Sequence, residues 1–199
     1  MDKRERIAKV MARAGLCSRR NAEIWIQERR VQVDGSVLTT PAFCVTPNTL
    51  ILIDGKPLPA PEALRLWCYH KPKGLVTTHK DEKGRPTIFD SLPSDLPRVI
   101  SIGRLDMNSE GLLLLTNDGD LSRYLELPST KWVRRYRVRV HGKVDKEQLK
   151  KLEKGLTIKG IHYGSILASL DCQQRANAWL SVSLSEGKNR EVRRVFEFL

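Results

Sequence analysis

The sequence predicts an α+β protein, with a small helix-helix-hairpin segment ahead of a larger segment built on antiparallel or mixed strands. Three observations carry this expectation. Apolar residues recur at helical spacing over residues 7–14 and again after Ser18, and then give way to strand alternation. Pro57, Pro59 and Pro61 fall within five residues, a stretch that suits neither a helix nor a central strand. Beyond them, strict alternation over residues 132–140 and 180–185 is interleaved with helical spacing after Asp145 and from Val192.

The first segment reads in order. Ile7, Val10, Met11 and Ala14 fall at i, i+3, i+4 and i+7, a single apolar stripe, with Arg6, Lys9 and Arg13 on a neighbouring face. Gly15 suits a helix stop. Ser18 suits the cap of a second helix that turns Ala22, Trp25 and Ile26 inward. Val31 and Val33 alternate with polar residues, and Asp34-Gly35 is a hairpin turn before Val37. Leu50, Leu52 and Asp54-Gly55 predict a further strand and turn. The proline run then marks a boundary near residue 60, giving domains at 1–60 and 61–199.

In the second segment residues 66–70 predict a strand ending at the turn Lys71-Pro72-Lys73-Gly74, where Lys71 and Gly74 are expected to serve turn geometry. Residues 99–102 and 112–116 are apolar strand candidates, Asn117-Asp118-Gly119 is a turn, and residues 121–127 are helical. Over residues 132–140, Tyr136, Val138 and Val140 share one face and Arg135, Arg137 and Arg139 the other. Asp145 with Gln148 starts a helix that Gly155 ends. Leu180, Val182 and Leu184 alternate with Ser181, Ser183 and Ser185. Val192, Val195, Phe196 and Leu199 form a closing helical stripe. Together the strands are expected to build one large sheet.

Composition narrows the function. Of 199 residues, 35 are Lys or Arg and 23 Asp or Glu, so the formal charge is +12, which favours a polyanionic partner such as nucleic acid. No run of about 18 apolar residues offers a membrane span, and residues 1–13 contain no apolar stretch of a secretory signal. Cys17, Cys44, Cys68 and Cys172 match no zinc spacing, and the four histidines are scattered. No P-loop or dinucleotide fingerprint occurs. A cytoplasmic protein without metal or organic cofactor is expected.

Five motifs then occur in one order. They are Lys71-Pro72-Lys73-Gly74; Gly84-Arg85-Pro86-Thr87-Ile88-Phe89-Asp90; Gly103-Arg104-Leu105-Asp106 running on through Glu110-Gly111 to Asn117-Asp118-Gly119; Arg134-Arg135-Tyr136; and Glu186-Gly187-Lys188-Asn189-Arg190-Glu191-Val192-Arg193-Arg194. This set resembles the ribosomal RNA pseudouridine synthases of the RsuA family, and the second motif resembles the large-subunit synthase B branch. The first segment resembles the RNA-binding domain named after small-subunit ribosomal protein S-four.

The resemblance implies isomerisation of uridine to pseudouridine in ribosomal RNA, with 23S RNA or a large-subunit precursor as partner and a monomeric enzyme. The target must be flipped out of its stack at a cost of roughly a few kcal/mol. Asp106 resembles the essential carboxylate, which must be ionised to act as nucleophile or base. Arg193 matches the cation that pairs with it, Tyr136 the aromatic that stacks on the base, and Arg104 a residue that holds the flipped nucleotide. Arg6, Lys9, Arg13, Arg19 and Arg20 on the first two helices, and Arg135, Arg137 and Arg139 on the strand, are the expected RNA-binding cations. On spacing alone the readings are plainer: Asp106 a turn or surface ion pair, Arg193 a snorkelling side chain, Tyr136 as suited to a core as to stacking. The basic domain also suits a non-catalytic RNA-binding or ribosome-assembly protein, and a small-subunit target remains the narrower alternative. Three departures from the family pattern stand out, the smallest being His70, where an Asn or Tyr is commoner. Arg29 occupies a position where Gly would suit a left-handed helix stop. The family pattern also continues past the Arg193 helix, so a chain ending at Leu199 is expected to lack its last elements.

Overall fold

A computed structural model of the chain describes residues 4–199. Its contacts divide it into two compact units, Met1–Arg123 and Tyr124–Leu199.

The first unit begins with β1 (Glu5–Arg6) and α1 (Ile7–Arg13), followed by α2 (Arg19–Gln27). Ile7, Ala8 and Met11 are buried from α1, and Ala22 and Ile26 from α2. The chain leaves α1 through Gly15 at φ +81°. Ser18 caps α2 as expected, its Oγ accepting the Asn21 N–H at 3.0 Å. The helix ends with Arg29 left-handed at φ +60°. Arg29 N–H donates to Ile26 C=O and Arg30 N–H to Trp25 C=O, the paired bonds of a Schellman stop. The strands β2 (Val31–Val33), β3 (Ser36–Val37), β4 (Cys44–Val45), β5 (Ile51–Ile53) and β6 (Lys56–Pro57) follow. Four of them form an antiparallel sheet in the order β3-β2-β5-β6, while β4 pairs with β1. Asp34-Gly35 and Asp54-Gly55 both carry two positive φ values, the geometry of type I′ hairpin turns. On β5 the buried residues are Ile51 and Ile53, while Leu50 is exposed. The strand expected from Leu50 and Leu52 therefore begins one residue later and turns the isoleucines inward. Pro57 sits on the edge strand β6, where its missing N–H breaks no ladder.

Past the prolines, β7 (Leu66–Lys71), β8 (Ile100–Ile102) and β9 (Gly111–Thr116) form an antiparallel sheet with β9 in the middle. A separate core gathers here around Ile88, Val99, Leu113 and Leu115. α3 (Gly119–Glu126) follows, capped by Asp118, whose Oδ1 accepts the N–H groups of Asp120 and Leu121.

The second unit contains β10 (Arg134–His141), α4 (Lys146–Lys151), β11 (Leu156–Ile158), β12 (Ile161–Tyr163), β13 (Ile166–Gln174), β14 (Asn177–Leu184) and α5 (Glu191–Phe198). The sheet order is β10-β14-β13, all antiparallel. Tyr136, Val138 and Val140 face Val182, Leu180 and Ala178 across the β10–β14 ladder. That face packs on Leu149 and Leu152 and on Val192, Val195 and Phe196 of α5. Arg135, Arg137 and Arg139 lie exposed on the other face, as the alternation predicts. Asp145 caps α4 through the Glu147 N–H. The expected single large sheet is not what forms. Among the described residues the strands build sheets of two to four strands.

Candidate active site

The residues of the first unit place Asp106 on a loop that joins the ends of β8 and β9. Gly103 at φ +73° and Gly111 at φ +125° bracket it, backbone settings that only glycine adopts without strain. The segment at 71–77 staples the loop from beneath. The Lys71 side chain is fully buried, and its ammonium donates to the carbonyl oxygens of Ser109 (2.9 Å), Pro72 (3.0 Å) and Asp106 (3.1 Å), with Met107 at 3.5 Å. Gly74 N–H donates to Met107 C=O at 2.8 Å, and Thr77 Oγ1 to Leu105 C=O at 3.0 Å. Burial pushes the Lys71 ammonium below its usual range, and the negative charge of Asp106 acts the other way. Lys71 thus does more than shape a turn. It is a buried cation whose charge is spread over the carbonyls that set the Asp106 backbone. Asp106 itself is half-buried and Arg104 exposed.

The motif Gly84 to Asp90 supports the stapling segment. Val76 exchanges backbone bonds with Pro86 and Ile88, Ile88 is fully buried, and Asp90 Oδ2 accepts from the Thr87 N–H and hydroxyl.

In the second unit Tyr136 stands half-buried on the core-facing side of β10. Burial pushes its phenol up, with Arg134 opposing and the negative charge of Glu191 adding to the rise. Arg134 ties the strand to the loop before α5: its Nη1 donates to the carbonyls of Ser185 (3.0 Å) and Trp132 (3.3 Å). In that loop Glu186 Oε2 accepts from Gly164 N–H at 3.0 Å and Lys188 Nζ at 2.7 Å. Glu191, the first residue of α5, is buried, and its Oε2 accepts the Lys188 N–H at 2.8 Å while Oε1 has no partner. Burial pushes its carboxyl up. Arg193 is exposed on α5 and donates from Nε to Glu197 at 2.7 Å.

The cations singled out in the sequence divide into two groups. Arg6, Arg19 and Arg20 are exposed, as are Arg135, Arg137 and Arg139. Arg137 lies over the Trp179 ring, 4.8 Å from its centre. Lys9 instead bridges Glu5 (2.9 Å) and Asp120 (2.7 Å), and Arg13 pairs with Glu5. These two hold Glu5 down to about 2. Sequence reading missed the structural work of Lys71, Arg134 and Glu191. For Lys71 the one available signal was a lysine at the end of an apolar strand, directly before a proline turn.

Among the described residues no cluster of His, Cys, Asp and Glu could hold a metal, and no helix is long and apolar enough to cross a membrane.

Residues 65–198 match the RNA pseudouridylate synthase family, and residues 5–57 match the S4 domain. The chain is 51% identical over 194 residues to an uncharacterized RNA pseudouridine synthase of Rickettsia felis, spanning 98% of this chain and 84% of that one. It is 41% identical over 199 residues to ribosomal large subunit pseudouridine synthase B of Yersinia pestis, spanning 97% of this chain and 63% of that one. The same-named protein of Salmonella typhi is 42% identical, with 97% and 68% spanned. A crystal structure of a pseudouridylate synthase shares the fold, with a TM-score of 0.63 at 24% identity over 98% of this chain and 82% of that one.

Proposed function

The chain belongs to the RNA pseudouridylate synthase family, and from that premise we propose that it isomerises a specific uridine of large-subunit (23S) ribosomal RNA. The relatives named as large-subunit synthase B and the stretch Gly84 to Asp90 support that target. Asp106 is the catalytic carboxylate. Arg104, Tyr136 and Arg193 hold the flipped nucleotide. The S4 domain, within residues 1–60, and the synthase domain, 61–199, share the work: the first supplies affinity and the second flips and rejoins the base. The exposed cations on α1, α2 and β10 track phosphates. The protein works as a cytoplasmic monomer and needs no cofactor, since the base leaves and rejoins the same sugar with no net redox change.

The observation that carries this reading is the Asp106 loop, a motif carboxylate on a backbone held by Lys71, Gly74 and Thr77. A reacting group must be placed to within a fraction of an ångström, and such a staple is one way to achieve it. Asp106→Asn should lower pseudouridine formation on the order of 10^4-fold while RNA binding survives. Substantial product from that variant would sink the assignment of Asp106. Mapping the product of the wild-type protein on total ribosomal RNA tests the target. One modified large-subunit uridine is expected, and modification confined to small-subunit RNA would move the substrate.

A further inference from the structure

Within the first unit, a small cleft lies between the start of α2 and the residues flanking the β8–β9 pair. Lys9, Arg13, Arg19 and Arg98 line it, together with Asp118 and Asp120. Both acids are already engaged. Asp120 pairs with Lys9, and Asp118 caps α3. Arg13 and Lys9 are in turn tied to Glu5. Among the described residues, no carboxylate forms an ion pair with the guanidinium groups of Arg19 and Arg98. Arg98 is half-buried, near His79 and Cys17, and burial lowers its pKa because the charged form loses water. Arg19 reaches across to the first residue of α3, with Nη2 3.6 Å from where a Cβ on Gly119 would stand. A half-buried cation without a counter-ion is a cost to the fold, and a second one aimed at the same cleft adds to it.

We propose that this cleft binds one backbone phosphate of the RNA, held jointly by Arg19 and Arg98. The inference rests on RNA being the substrate and adds Arg98, from the synthase segment, to the binding surface. Guanidinium groups match phosphate oxygens in planar, two-bond geometry, so two of them can enclose a single phosphate. β8 runs antiparallel to β9, with the Asp106 loop at one end of the pair, and Arg98 and Gly119 at the other. Three residues of strand separate the ends by roughly 10 Å. The bound phosphate therefore belongs to a neighbouring nucleotide and not to the one at Asp106. One side chain comes from the S4 domain and the other from the synthase segment, so the same phosphate engages both.

The test measures binding of a large-subunit ribosomal RNA fragment to the full chain across a salt series, for wild type, Arg19→Gln, Arg98→Gln and the double variant. Shared grip on one phosphate predicts that the double variant loses about 0.7–0.9 from the magnitude of the log K against log salt slope, and each single a part of that. Arg98→Lys should keep the slope and weaken affinity. A loss of about two units in the double variant, or a slope equal to wild type, overturns the proposal. Thermal melting guards against a merely structural role: Arg98→Gln should melt no lower than wild type, and a marked drop assigns Arg98 to the fold and overturns the proposal. None of these readouts depends on turnover. Failure of the synthase reading would show separately, as wild-type protein that binds RNA and forms no pseudouridine.

Discussion

Lys71 and Glu191 are both ionisable side chains taken out of water, and they meet that cost differently. Around Lys71 four carbonyl oxygens accept from the ammonium and offset part of the burial that lowers its pKa. Glu191 has one N–H donor on Oε2 and none on Oε1, with Glu186 nearby, so burial and like charge favour the protonated acid. Its folded pKa lies above the unfolded value of about 4.3. The stability it contributes is therefore complete below that value and is lost as pH rises through the folded pKa. Glu191→Gln keeps an acceptor for the Lys188 N–H and removes the ionisation. Denaturant unfolding should show the variant equal to wild type near pH 4 and more stable than wild type at higher pH. A variant less stable than wild type at high pH would refute this account. Neither role could be read from the motifs, since burial is a property of what packs around a residue. Asp106 was legible as a candidate from its motif, but the atoms that hold its loop come from residues 28 or more positions earlier.

At the scale of elements, local chemistry explains most of the boundaries. Ser18, Asp118 and Asp145 cap helices through their own side chains. Asp34-Gly35 and Asp54-Gly55 make the hairpins their composition predicts. Arg29 is the exception that the sequence also flagged: it takes the left-handed stop that glycine would take without strain. Arg29→Gly should relieve about 1–2 kcal/mol of strain against about 0.4–1 kcal/mol of added unfolded-state entropy. A rise of up to about 1.5 kcal/mol in unfolding free energy is expected, and any loss would mean the Arg29 side chain holds the turn. The one large sheet was the element-level expectation that failed. Alternation identifies a strand and its faces but does not say which strand will be its neighbour. The Lys159-Gly160 turn, with both φ values positive, closes β11 on β12 and shows how a short hairpin removes strands from a larger sheet.

For the whole molecule, the charge of +12 becomes a statement about binding once the ion pairs are known. Of the eight cations expected to meet RNA, Lys9 and Arg13 are held by Glu5 and Asp120, and Arg137 pairs with Asp171 at 4.0 Å, which leaves five. Five phosphate contacts give a slope of about −3.5 to −4.5 for log K against log salt. Titration of RNA binding between low and physiological salt checks this, and a nearly flat dependence would refute a phosphate-tracking surface. The sequence by itself determined the α+β class, the helix caps and hairpin turns, the two faces of β10 and the motifs that mark the family. These are set by spacing, by turn chemistry and by residue identity, all of which are local. Only the tertiary structure decided that Lys71 is buried under the Asp106 loop, that the Oε1 atom of Glu191 is buried without a hydrogen-bond partner, and which cations keep their charge available. Those outcomes depend on which distant residues share a dielectric environment and a set of hydrogen-bond partners, and no local pattern encodes that.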